Sequence, residues 1–474
     1  MYISVNTATV AVPEWDIDTR YATLAKAGFT AIDIGLGGGA STRTLDYEGK
    51  CIFEKSIEEV KAQAAVKSQK KKFTQSNDLQ KCRNKNYRTP KVMISGSILE
   101  ENKAHTENNK VVFIPSGVTE IAGYAFSESK NRLIVFPKEG LRKIGVHAFQ
   151  SCWAEYDVKD EELCFCTGDI KSPFEQLSKG IVFLPESVEE IGEFAFATCQ
   201  MRDMPLILPE NLKQLGGFAF TRCSMSALYY NGPQIIPTQC FSVCYVMEKL
   251  FIDDCVEVIG DSAFYLCNEL RQIRFSKNLK RIDRYAFQGC GNLRTMSLPD
   301  SLESIGEQAF DNCEWLLEVD LPDSVVELGD AVFSRCSRLN KAKLPGHISV
   351  IPKELFRDCV KLSDVVITAG VTTIEAEVFK NCKKLVSVVI SETVSSIDKS
   401  CFVGCNIKSL VIYGVRGSYA EQFAKEHNIK FDDVNNKVVV PKICEACGTK
   451  LKKGSKFCHE CGAKVVAKPF VSIE

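Results

Sequence analysis

Histidine is scarce in this chain, with five in 474 residues. A catalytic metal site built on imidazoles is therefore not expected. Tryptophan (three) and methionine (seven) are also sparse. No apolar run reaches the 18 or more residues a membrane-spanning helix needs, so none is expected. The opening, MYISVNTATVAVPEWDID, has no basic n-region and meets acids by Asp16, so a secretory signal is not expected either. Charge of one sign is lacking: 59 Lys+Arg stand against 60 Asp+Glu. That excludes a globally basic nucleic-acid binder while leaving room for local patches. The length fits roughly three domains of ~150 residues or one long repeat array.

What the chain has in quantity is cysteine, 22 in all. In a short secreted chain this would suggest a disulfide framework. A long chain with a full-sized core and no signal points instead to reduced thiols or metal ligands.

The cysteines belong to a repeat. Phenylalanine stands at 126, 149, 196, 220, 241, 264, 287, 310, 333, 356, 379 and 402, and the last seven gaps are all 23. The 47-residue gap before Phe196 hides either a degenerate repeat near Phe174 or a long loop around Cys164 and Cys166. Five residues before the phenylalanine is Ile or Leu, from Ile121 to Ile397; eight before is an aliphatic residue, with Pro233 the exception. Alanine often precedes it, and cysteine stands three after it in eleven of twelve cases, with Ser129 in the first. Apolar residues follow at six, nine and eleven, as at Leu293, Met296 and Leu298, the last two in strand alternation. No single 23-residue coil can bury its own apolar face, so the coils must stack into a solenoid with one continuous core. Each coil is expected to hold one short strand and one tighter turn carrying the Ala-Phe pair. Twelve coils spaced ~4.8 Å apart would give a rod roughly 55–60 Å long.

The cysteine column reads as a stack of buried, weakly donating thiols. Parallel side chains are poor geometry for a disulfide ladder. Cys240, Cys255 and Cys401 lie off the column, and Cys240 and Cys401 replace the alanine before the phenylalanine as core residues.

The repeated pattern P-x-x-V-x-x-I-G-x-x-A-F-x-x-C-x-x-L-x-x-I-x-L resembles the BspA-like leucine-rich repeats, and 301–322, SLESIGEQAFDNCEWLLEVDLP, match it almost column for column. The resemblance covers about 111–431. It implies a parallel β-solenoid that recognises proteins or surfaces, adhesion in some members, and no catalysis. The tail GVRGSYAEQFAKEHNIKF (414–431) resembles the closing segment of such arrays, with Tyr419, Phe423 and Ala424 at helical spacing to cap the core.

Beyond the array, CEACGTKLKKGSKFCHECG holds two C-x-x-C knuckles, Cys444/Cys447 and Cys458/Cys461. Four thiolates at this spacing can enclose Zn²⁺ tetrahedrally, and Gly448 and Gly462 permit the tight turns behind them. The segment resembles a short bacterial zinc ribbon. His459 is read as a bystander, because four thiolates complete the shell and leave a structural site. Thiolate ligands favour a reducing compartment, the cytoplasm; export by a route without a recognisable signal, leading to the cell surface, is the alternative.

The N-terminal residues differ. MYISVNTATV, a helix over about 17–27 capped by Asp16, and FTAIDIGL make a β-α-β unit. This resembles the opening of sugar phosphate isomerase/epimerase TIM barrels, and 47–65 continues the likeness into a second helix. Such a barrel needs roughly 250 residues. The strands that carry the family's metal ligands are missing, so no catalytic residue carries over. GLGGGAS (35–41) reads as a flexible βα loop rather than a phosphate cradle. Residues 66–91 hold nine Lys/Arg and one acid, Asp78. They read as a solvated linker, or as a nucleic-acid or anionic-surface patch with Phe73 and Tyr87 as stacking groups.

The expected organisation is therefore an α/β fragment at 1–65, a basic linker at 66–91, and the leucine-rich repeat solenoid with its cap at 92–431. A linker at 432–443, a zinc ribbon at 444–464 and a tail at 465–474 follow. The expected function is a monomeric, non-enzymatic protein-binding scaffold with structural zinc as its only cofactor. A nucleic-acid-associated regulator using the ribbon and the basic segment is the alternative; a sugar isomerase-like enzyme is the weakest reading.

Overall fold

The three-residue spacing of the pattern has a backbone cause. Residues three apart are joined by turn hydrogen bonds, so every third side chain points the same way. In the coil of Phe310 the N–H of Leu302 donates to the Pro299 carbonyl at 3.1 Å, and that of Ala309 to Gly306 at 3.3 Å. Cys313 N–H donates to Phe310 at 3.4 Å and Leu316 N–H to Cys313 at 3.1 Å. Consecutive turns aim Leu302, Ala309, Phe310, Cys313 and Leu316 into the core, where all five are buried.

These relations come from a computed structural model that describes residues 31–35, 42–46, 92–102, 111–129, 133–137, 139–152, 164–167, 182–199, 201, 205–436, 438–439 and 468–469. The chain divides into two units, Met1–Asn84 and Lys85–Glu474. In the first, Ala31–Gly35 pairs antiparallel with Thr42–Asp46. The glycine-rich segment between them thus joins two strands of a hairpin, not a strand and a helix as expected. The proposed helices over 17–27 and 47–65 and the strand in 1–10 lie outside the described residues, as does the basic segment 66–91.

The second unit is the solenoid. All but one of the fully described coils carry two short strands where the sequence suggested one. The first ends on the isoleucine column: Arg281–Ile282, Ser304–Ile305 and Glu327–Leu328 pair in parallel, with Ile282 opposite Ile305 and Ile305 opposite Leu328. We call this the Ile ladder. The second follows the cysteine. Glu318–Asp320, Lys341–Lys343, Asp364–Ile367, Ser387–Ile390, Val411–Gly414 and Lys430–Asp433 form a parallel sheet, the long-strand ladder. Among the described residues that ladder breaks at the coil of Met296 and Leu298, which form no strand and are only partly buried.

A third ladder runs through the phenylalanine turn. In every coil but the last, the residues two before and two after the phenylalanine have positive φ, as at Gln308 (φ 52°) and Asn312 (φ 59°). Each such non-glycine residue costs about 1–2 kcal/mol. The alternation turns three N–H groups towards the next coil: Gln308 to Asp330 O at 2.8 Å, Phe310 to Val332 O at 3.0 Å and Asn312 to Ser334 O at 2.8 Å. These bonds offset the strain. Inside, the twelve phenylalanine rings stack from Phe126 to Phe402, with neighbouring centroids between 4.9 and 6.0 Å apart.

The long gap in the repeat is resolved. Lys143–Ile144 pairs directly with Glu190–Ile191, and Phe149 stacks on Phe196 at 5.1 Å. No described strand of the Ile ladder separates them, and Phe174 lies outside the described residues. Cys164–Thr167 is a strand, paired with Leu133–Phe136. Among the described residues, the insertion therefore adds one strand, on the side away from the Ile ladder.

Both ends of the core are covered. Val92–Ser95 and Ile98–Asn102 form a hairpin whose second strand pairs with Glu120–Ile121. Leu99 is the buried residue there, while Ile98 is 37% exposed. At the other end the helix Tyr419–Glu426 buries Ala420, Phe423 and Ala424, and Phe423 meets the last ring of the stack, Phe402, at 6.1 Å.

Candidate recognition surface

The cysteine column is the first place to look for chemistry. The Cys313 thiol donates to the Phe287 carbonyl at 3.5 Å, Cys336 to Phe310 at 3.3 Å and Cys359 to Phe333 at 3.1 Å. The same bond recurs at every column cysteine from Cys152 to Cys405. Burial pushes the Cys290 thiol up to about 12 and Cys405 to about 11, and raises Cys313 and Cys359 well above the ordinary range. Neutral thiols are neither good nucleophiles nor metal ligands. Cys240 and Cys401 are buried as expected, and Cys255 is exposed. All of these cysteines are free.

The Ile ladder side presents an open groove of about 710 Å³, lined by Arg281, Arg284, Asp261, Glu307, Val326 and Val350 among others. Arg281 donates to Asp283 at 2.7 Å, and Arg284 is bound to Asp261 of the preceding coil. Asp261 holds the Arg284 guanidinium above its usual range. Burial, then the Glu307 carboxylate, raises the neighbouring Tyr285 phenol. Val326 is 55% exposed and Ile235, on the same ladder, 56%. No histidine or cysteine lines the groove, so it offers no thiol or imidazole for covalent catalysis. Paired charges beside exposed aliphatics suit a protein surface.

A second feature lies outside the repeat columns of the core. Two residues before the phenylalanine, Tyr124, His147, Phe194 and Phe218 form an outer stack, with centroids 4.7, 4.9 and 4.6 Å apart. Tyr124 is well exposed, and His147 Nδ1 lies 2.7 Å from Gln150 Oε1. The motifs Y-A-F, H-A-F and F-A-F were the available signal.

Cys444, Cys447, Cys458 and Cys461 lie outside the described residues, as does His459. The chain on either side of them is described: Val438–Val439 pairs antiparallel with Lys468–Pro469. Among the described residues no group of three or more His, Cys, Asp or Glu is placed to hold a metal ion. No helix among them is long and apolar enough to cross a membrane.

The chain matches the BspA type leucine rich repeat region, a family pattern of six copies, over 97–159, 171–294, 234–362, 280–408 and 350–439. The chain belongs to this family. The BspA-type match begins within the N-terminal hairpin and runs past the capping helix, leaving out the inserted strand Cys164–Thr167. No curated protein matches the chain. Among solved structures, a leucine-rich repeat protein from Bacteroides ovatus is 22% identical, covering 74% of this chain and 99% of its own, with a TM-score of 0.48. A leucine rich cell surface protein from Faecalibacterium prausnitzii is 22% identical, covering 71% of this chain and 97% of its own, with a TM-score of 0.40. The pneumococcal vaccine antigen PcpA is 17% identical, covering 72% of this chain and 84% of its own, with a TM-score of 0.40. Leucine-rich repeat solenoids of the BspA type serve generally in protein interaction.

Proposed function

We propose that the protein is a non-enzymatic scaffold that binds another protein along its solenoid. The observation that carries this reading is the groove on the Ile ladder, with exposed Val326 and Val350 beside arginines already paired to aspartates. Such a surface offers apolar contact and satisfied polar groups without reactive chemistry. Affinity capture with the full chain tests it, run beside Val326→Asp/Val350→Asp. A saturable protein partner that the variant loses supports the reading. Equal capture by both moves recognition elsewhere, and failure to capture any protein counts against a scaffold.

The second contact module in this proposal is the four-cysteine segment. Its donor set, two C-x-x-C pairs, suits Zn²⁺, and the described strand pair 438–439/468–469 joins the chain on either side of it. Cys444, Cys447, Cys458 and Cys461 would hold the ion, which would supply folding energy and no catalysis. We place the protein in the cytoplasm, where those thiols stay reduced, with the cell surface as the alternative; protease access on intact cells separates the two.

A further inference from the structure

The turn after the cysteine carries a surface of different character. Trp315 lies there with Arg294 4.9 Å from its ring centroid and Arg338 3.4 Å from it. One arginine comes from the coil before and one from the coil after. Trp315 N–H donates to the Gly291 carbonyl at 3.0 Å and Arg338 N–H to Glu314 at 3.1 Å, which fixes this register. The next two coils place Lys361 and Lys384 at the Arg338 position, with Lys383 beside Lys384. With coils ~4.8 Å apart, Arg338, Lys361 and Lys384 make a row roughly 10 Å long.

The three lysines are exposed, and no ion pair joins any of them among the described residues. Neighbouring columns behave differently. Lys341 meets Glu318 at 4.0 Å, Lys343 meets Asp320 at 3.4 Å and Lys353 meets Asp330 at 3.3 Å. Opposite charges on successive coils thus cancel elsewhere, whereas here like charges stand next to one another at a cost. Across the five turns 291–294, 314–317, 337–340, 360–363 and 383–386, the single acid is Glu314. Leu317 (38% exposed) and Val386 (41%) sit among these cations.

We propose that this edge, from Arg294 to Lys384, docks an acidic protein segment in which carboxylates alternate with apolar side chains. The proposal rests on the scaffold reading and adds the partner's chemistry to it. Carboxylates meet the unpaired lysines, and apolar side chains meet Leu317 and Val386. The arginines on either side of Trp315 leave its indole no open face for a base or a sugar ring, which disfavours nucleic acid and glycan. The arginines also hold the indole in place, so its edge is a rigid anchor.

The test is fluorescence anisotropy on the full chain with a labelled peptide alternating Glu with Leu or Ser. About 12 residues, at ~3.4 Å each, reach past the row. Lys361→Glu/Lys383→Glu/Lys384→Glu should weaken binding at least about tenfold, as like-charge juxtaposition does. Raising salt from about 50 to about 200 mM should weaken the unchanged protein as well. The Lys→Gln triple variant should fall between, and it decides the matter if the Glu variant melts early by circular dichroism. Affinity unchanged in these variants overturns the proposal. So does equal binding of a peptide with Lys in place of Glu. Tighter binding of an oligo-dT strand overturns it in favour of nucleic acid. A protein partner captured equally by the wild type and the triple variant leaves the scaffold reading standing and removes this edge as the dock.

Discussion

At the scale of the residue, the phenylalanine of every coil and the glycine four before it in six of the twelve answer to close packing between coils. Phe310 is fully buried, with rings at 5.3 and 5.7 Å on either side. Its truncation to alanine should cost ~3–5 kcal/mol through the cavity left in a closely packed stack. Urea unfolding measures this, and a loss under ~1 kcal/mol would place the ring at the surface. The glycine four before the phenylalanine has another reason. A Cβ on Gly329 would stand 2.3 Å from the backbone nitrogen of Glu307 in the preceding coil, whereas one on Gly291 meets nothing within 4 Å. Gly329→Ala should therefore lower the thermal midpoint while Gly291→Ala leaves it nearly unchanged. Equal midpoints would mean the coils can separate to admit a methyl group.

At the scale of the element, the cysteine column behaves as a unit. Each thiol gives a hydrogen bond to the phenylalanine carbonyl of the coil before, which already accepts an N–H within its own turn. The buried Ser129 in the first coil shows that a small hydroxyl fits the same place. The chemistry has a pH consequence. An unfolded thiol ionises near 9.0, whereas Cys290 in the fold does so at about 12. A raised folded value means that this contribution to stability is complete below pH 9 and is lost as pH climbs towards 12. The loss is about 1.4 kcal/mol per pH unit for each thiol. The urea midpoint should fall steeply above pH 9, and less steeply once Cys290, Cys313 and Cys336 are all serine. Identical slopes would show that the column ionises as freely folded as unfolded.

At the scale of the whole molecule, a solenoid is stabilised by nearest-neighbour contacts, so its open ends need covers. The hairpin Val92–Asn102 and the helix Tyr419–Glu426 supply them. The four-cysteine segment follows the second cover in the sequence. Cys458→Ser should release zinc from it while the solenoid melts at its usual temperature. Metal analysis and a thermal scan read the two separately; unchanged zinc content would sink the assignment.

The sequence alone determined the repeat, its register and its core. The Ile, Phe and Cys columns had to face inward because residues three apart share a direction and no coil can bury its own face. The cap helix was legible for the same reason, since Phe423 and Ala424 fall at helical spacing. The Ile ladder strands were not legible, because two-residue elements carry no periodicity. They exist only where a neighbouring coil supplies carbonyls and N–H groups. The direct pairing of Ile144 with Ile191 across the long insertion, the exposure of Ile98 and the hairpin at Ala31–Asp46 were tertiary outcomes too. So was the grouping of Arg294, Trp315, Arg338, Lys361 and Lys384. Each is one of many surface residues along the chain, and only stacking at ~4.8 Å per coil brings them side by side.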